Sequence, residues 1–222
     1  MLYIDVRDEG TDSISDVDGI DVFEVEAFED FEEAYWWLKK NPKKYKSIVI
    51  DTVSQLQTMV VQEVAAKKKK EVSREGPQWG DLTKRDWGTI ASIMKEWLGN
   101  YRDLTKLGPQ VIFIAQDRTF NFDEEEVEDE TLTPEVGPAL SPSIARSLNA
   151  SVSVIGNTFI REREIIKEVN GKKKKRNVVE YCLGLGPSSV YIRKVRKPRD
   201  IEAPEAIVNP EWEDVLDIIK GE

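Results

Sequence analysis

The sequence predicts an α/β protein: a mostly parallel sheet flanked by helices, followed by a C-terminal β-hairpin extension. Three observations carry this. Short β-branched or apolar runs at 48–50 (Ile-Val-Ile) and 110–115 (QVIFIA) are bounded by polar residues, as buried strands of a parallel sheet are. Between such runs lie longer segments whose apolar residues recur at helical spacing. Finally, Asn170-Gly171, the strongest short hairpin signal, separates two strand-like runs at 159–169 and 177–183.

In chain order, Leu2-Tyr3-Ile4 followed by Asp5 reads as a strand, and residues 7–19 as a polar, turn-rich link. DVFEVE (21–26) alternates and reads as a second strand. Residues 28–40 carry Phe28, Phe31, Tyr35 and Leu38 at helical spacing, with acids early and lysines late, as the helix dipole favours. Asn41-Pro42 stops this helix, and the strand at 47–50 follows. A helix with Val53, Leu56, Val60 and Val64 inward runs from Thr52 to about Lys70, and residues 71–81 read as a loop. A long amphipathic helix over 83–106 is expected to turn Trp87, Ile90, Met94, Trp97 and Leu104 inward. After the 110–115 strand, residues 119–140 show no periodicity and read as a loop, acidic at 123–130. Ser141 caps a short helix with Pro142 at its first position, and residues 151–155 form a strand. KKKKR (172–176) is expected at the hairpin tip, residues 189–195 as its third strand, and residues 210–220 as a terminal helix.

Composition narrows the chemistry. The 222 residues suffice for one α/β domain with an appendage, divided by this reading into a core at 1–157 and a hairpin extension at 158–222. The chain has no histidine and a single cysteine, Cys182. That removes the imidazole triads, an internal disulfide and cysteine-built zinc sites, and leaves carboxylates, Lys, Arg, amides and hydroxyls. Hard oxygen ligands of that kind suit Mg²⁺. No apolar run approaches the ~20 residues of a membrane span. The net charge of −10 argues against coating DNA with the whole surface, but base is concentrated at 67–70, 172–176 and 193–199.

Three strand ends carry candidate site residues. Asp5, Asp51 and Gln116 each follow an apolar run, and would share the carboxyl edge of a parallel sheet, where open α/β sheets bind ligands. Asp51 fits a metal ligand or, as the plainer reading, the N-cap of the next helix. A nearby acid could orient water, and the Gln116 carboxamide could sense a terminal phosphate.

YID (3–5), IVIDTVSQL (48–56) and VIFIAQDR (111–118) resemble, in order and spacing, three strands of the RecA-like P-loop ATPase core. The likeness extends to DEGTDS (8–13), LTKRDWG (82–88) and PEVGPALSPSIARSLNA (134–150), and looks closest to the phage nucleotide-binding proteins used for recombination and single-strand annealing. The resemblance implies ATP and Mg²⁺ as ligands, with Asp51 as the Walker B metal acid, and Asp5 and Thr52 beside the nucleotide. It implies Gln116 as γ-phosphate sensor. The water-polarising acid of that family lies just after the first strand, where this chain has Arg7, so Asp8 or Glu9 would have to serve, Glu9 first. No GxxxxGK[ST] phosphate loop occurs in the sequence, and each charge-assisted bond such a loop makes is worth roughly 1.5–3 kcal/mol. Hydrolysis by this chain is therefore expected to be weak or absent. A chain opening inside a strand at Met1 looks like one that starts just after the phosphate-loop unit. In RecA-like sheets that unit's strand is central, between those matching 110–115 and 150–155.

The family further implies single-stranded DNA as partner, a homo-oligomer in ring or filament form, and a cytoplasmic location, in a bacterial host if phage-encoded. Lys172, Lys173, Lys174, Lys175, Arg176, Arg193, Lys194, Arg196 and Lys197 are the candidate phosphate contacts; solubilising the hairpin is the alternative role for 172–176. A non-catalytic single-stranded DNA-binding or assembly module is the alternative reading of the whole.

Overall fold

The computed structural model describes residues 1–7, 11–14, 16–72, 82–120, 135–169 and 172–221. The chain forms two compact units, one of residues 1–118 and 138–151, the other of 119–137 and 152–222.

The first unit is the α/β core. Strands β1 (Leu2–Val6), β2 (Asp21–Val25), β3 (Ser47–Asp51) and β4 (Gln110–Phe113) form one sheet in the order β2-β1-β3-β4, every neighbouring pair parallel. The crossovers carry helices α1 (Phe28–Lys40), α2 (Val53–Val72) and α3 (Lys84–Asp103), with α4 (Pro142–Ser151) returning later. The central strands are buried on both faces, with Ile4, Val6, Ile48 and Ile50 fully enclosed, whereas the edge strand β2 is largely exposed.

The helices start where local chemistry satisfies their first amides. Asp30 accepts from the N–H groups of Glu26 and Ala27 at 3.1 and 2.8 Å, closing the entry to α1. Thr83 and Asp86 form a reciprocal box at the start of α3, the Asp86 carboxylate accepting from the Thr83 N–H at 2.7 Å. Lys68 of α2 also reaches Asp86 at 2.8 Å. Phe31 and Tyr101 stack with centroids 4.3 Å apart, Trp97 meets Tyr35 edge-on at 5.4 Å, and the buried Tyr101 hydroxyl donates to the Phe31 carbonyl at 2.7 Å. Burial holds the Tyr101 phenol well above its ordinary pKa.

Two expectations change. Trp87 lies on the surface, because Ile90, Met94, Leu98 and Tyr101 define the buried stripe of α3 and Trp87 falls at its open end. The 119–140 segment is not wholly irregular: β5 (Asp117–Phe120) pairs with β6 (Glu135–Pro138), leaving 121–134 outside the described residues.

The second unit is built on β8 (Asn157–Val169) and β9 (Lys172–Gly184), antiparallel with Val169 opposite Lys172, which is the register of a two-residue turn. Lys172–Arg176 therefore belong to a strand rather than to the tip. The third strand of this sheet is β11 (Ala206–Val208), which pairs with β9. The 189–195 segment is not that strand: its end, β10 (Lys194–Val195), pairs with β7 (Val154–Ile155), and Tyr191 bridges to Val136. Residues 151–153, expected in a strand, end α4 or lie between elements. Helix α5 (Trp212–Lys220) ends this unit. Among the described residues no helix is long and apolar enough to cross a membrane.

Candidate functional site

The site is built at the carboxyl ends of β1 and β3. Parallel pairing sets Asp5 directly opposite Asp51. In-register residues on neighbouring strands, ~4.8 Å apart, project from the same face of a sheet, so the two carboxylates share one face and one rim. Asp5 is buried, whereas Asp51 is half-buried. Tyr3 lies two residues before Asp5, on the same face by strand alternation, and its hydroxyl donates to Asp51 Oδ2. The Asp51–Thr52 peptide bond is cis.

Thr52, not Asp51, caps α2: its Oγ1 accepts from the Gln55 N–H at 3.1 Å. The capping alternative for Asp51 is thereby filled by its neighbour, and the Asp51 carboxylate stays at the strand end. Beyond β4 the chain continues along β3, Ile114 N–H donating to the Ile50 carbonyl and Val53 N–H to the Ile114 carbonyl, each at 2.9 Å. Gln116 then reaches the same rim. Its N–H donates to the buried Ser54 Oγ at 3.2 Å, and its carbonyl accepts from Ala139 at 2.7 Å, leaving the carboxamide exposed. Asp5, Asp51, Thr52 and Gln116 thus gather at one edge of one sheet. Asp8 and Glu9 lie outside the described residues.

Sequence reasoning gave no site role to four residues at or beside this rim. Tyr3 was legible from its two-residue offset to Asp5. Ser54 holds the backbone of 116, and Gln57 Oε1 accepts from the Ser141 N–H at 2.7 Å, fastening the start of α4. Nothing short of the tertiary structure signals these two contacts. Arg7 closes β1 with a left-handed φ of 67°, its N–H donating to the Val25 carbonyl at 3.1 Å and its guanidinium to the Gln62 side chain.

The donor set fits Mg²⁺. That ion is typically bound through one or two carboxylates with phosphate oxygens and water completing its shell. Among the described residues no group of three or more His, Cys, Asp or Glu side chains is placed to hold a metal ion. A model of the AAA domain matches residues 1–197. The chain belongs to the AAA-domain family. This membership and the helix-flanked parallel sheet make it a nucleotide-binding, P-loop-like ATPase type of protein, a class that depends on nucleotide and Mg²⁺. No curated protein matches it.

The candidate phosphate contacts of this AAA-domain chain lie in the second unit in two settings. Arg193 is engaged internally: Nε donates to Asn157 Oδ1 at 2.6 Å, Nη1 to the Gly186 carbonyl at 3.3 Å, and the guanidinium lies over the Tyr191 ring. Gly184 permits this, since a Cβ there would run into the guanidinium. Lys197 donates to the Ile201 carbonyl. Partial burial, then the Arg196 charge, lowers the Lys194 pKa. Arg176 is exposed on β9, and Lys175 pairs with Glu164 at 2.8 Å. Lys172, Lys173 and Lys174 occupy the first positions of β9.

Proposed function

We propose that this chain is a RecA-like ATP-binding protein acting on single-stranded DNA in recombination or strand annealing. What supports the reading is one observation above all. A buried and a half-buried carboxylate stand in register at the carboxyl rim of a parallel sheet, in a chain of the AAA-domain family. Asp51 would hold Mg²⁺, with Asp5 behind it, and the ion would neutralise charge on the phosphates. Thr52 fixes the start of α2 beside that position. Gln116, pinned through Ser54, would present its carboxamide to the terminal phosphate and couple its loss to the segment that follows. Glu9 or Asp8 would orient the attacking water.

The sequence supplies no phosphate loop, so the backbone N–H cradle and its lysine have no counterpart among these 222 residues. The chain alone is therefore expected to bind Mg²⁺–ATP weakly and turn it over slowly or not at all. The test compares this chain with a version carrying a phosphate-loop strand, loop and helix ahead of Met1. The reading expects Mg²⁺-dependent ATP binding and turnover to rise sharply in the extended protein. An extended protein that folds yet neither binds nor hydrolyses ATP would contradict it. Were this chain itself to bind single-stranded DNA with no nucleotide response in either form, the non-catalytic binding module would be the better description.

A further inference from the structure

The hairpin separates its charges between two faces. Residues opposite each other in an antiparallel pair share a face, and alternate residues of each strand lie on opposite faces. The register sets Arg161 opposite Glu180, Arg163 opposite Val178, Ile165 opposite Arg176, Lys167 opposite Lys174 and Val169 opposite Lys172. That row holds six basic residues and one acid. The complementary row holds three acids and two lysines, and it compensates itself: Lys175 pairs with Glu164 at 2.8 Å, and position 173 stands opposite Glu168. The REREIIKE sequence of β8 produces this sorting, with arginine at every odd position of its first half and glutamate at the even ones.

In the basic row the Arg161 end is neutralised. Arg161 binds Glu180 through Nε and Nη2 at 2.9 and 2.6 Å. Arg163 and Arg176 are exposed, and among the described residues neither has an ion-pair partner. Further along, the register sets position 167 opposite 174, both lysine in the sequence.

We propose that this row of the hairpin, centred on Arg163 and Arg176 and continued by positions 167, 172 and 174, is a binding track for the phosphate backbone of a single-stranded nucleic acid. The proposal rests on the single-stranded partner proposed above, and names the face that holds it. The row runs about 27 Å along the strands from position 161 to 169. A flexible single strand can follow such a narrow line, whereas a duplex is stiff over ~150 base pairs and keeps its phosphates on a helical path. The track divides the 172–176 cluster by alternation: 172, 174 and 176 belong to it, and 173 and 175 do not.

The test is the salt dependence of oligo(dT) binding by the full chain, followed by fluorescence anisotropy. Five contacts give a slope of log K against log salt of about −3.5, a loss of roughly 100-fold between about 50 and 200 mM. The double variant Arg163→Ala/Arg176→Ala should reduce the slope to about −2.1 and the loss to roughly 20-fold. Arg163→Lys/Arg176→Lys should restore the parent slope, which excludes misfolding as the cause. Lys175→Ala, on the compensated row, should leave the slope unchanged.

An unchanged slope in the double alanine variant, or an equal drop in Lys175→Ala, overturns the track while leaving the single-stranded partner standing. Absence of oligo(dT) binding at low salt overturns both, and leaves the nucleotide site untouched. Equal affinity for a duplex of the same length overturns the single-strand assignment. Capture by phosphatidylcholine–phosphatidylserine vesicles, with the same residue dependence but no oligonucleotide binding, reassigns the face to lipid headgroups.

Discussion

Tyr3→Phe isolates the contact on which the geometry of the rim depends. The substitution removes one oxygen, the hydroxyl that donates to Asp51 Oδ2, and leaves the ring in β1. Hydrogen bonds to a charged group contribute about 1.5–3 kcal/mol. Tyr3 and Asp51 are both half-buried, so water replaces the lost donor in part and brings the loss to the bottom of that range or just under it, about 1–1.5 kcal/mol. For a chain of this size that lowers the Tm by roughly 2–6 °C. A double-mutant cycle with Asp51→Ala in urea assigns the loss to the pair, with an expected coupling of about 1 kcal/mol. Releasing Asp51 from this donor should not weaken Mg²⁺ binding, because the carboxylate remains in place. Additive stabilities in the cycle, or a Tyr3→Phe protein as stable as the parent, would refute the reasoning.

Three further outcomes are expected. Ser54→Ala removes the acceptor for the Gln116 N–H and should cost about 1–2 kcal/mol in chemical denaturation, with faster amide exchange at 116. Glu32 is held above its ordinary pKa of 4.5 by partial burial, then by Glu63 and Glu29, so its charge opposes folding above the raised value and not below the ordinary one. Glu32→Gln should therefore stabilise the protein at neutral pH, by about 0.2–0.5 kcal/mol as for like-charge helix pairs, with no gain once the pH falls below the ordinary value. The Asp86 carboxyl is held well below its ordinary 3.8, first by Lys68 and then by Thr83. Its contribution is present above 3.8 and disappears as the pH falls through the lowered value, so Asp86→Asn should flatten the acid limb of the stability profile.

Much of the core was legible because its signals are local. Ile48-Val49-Ile50 read as a buried strand from composition alone, and α1 matched its expected bounds because Asn41-Pro42 and its charge asymmetry mark both ends. The hairpin was legible too, and it pairs Val169 with Lys172. What escaped is set by pairing rather than propensity. Ala206-Ile207-Val208 is too short and too close to Pro204 and Pro210 to announce a strand, yet β9 offers it an open edge; 189–195 is richer in strand formers but meets β7 and Val136 instead. Four consecutive lysines have low strand propensity, and β9 extends through them because the long partner β8 lies opposite. At the rim, Asp5, Asp51 and Gln116 could be grouped because strand ends in a parallel sheet share an edge. The capping by Thr52 and the Ser54 contact to Gln116 depend on where α2 begins and where β4 stops, which no spacing rule gives.

Mg²⁺ titration of ATP binding by calorimetry tests the account most directly, using the chain extended by a phosphate-loop unit and its Asp51→Asn variant. Binding should require Mg²⁺ in the parent and weaken at least tenfold in the variant, a loss of about 1.4 kcal/mol or more. ATP binding of equal strength in both proteins, indifferent to Mg²⁺, would contradict it.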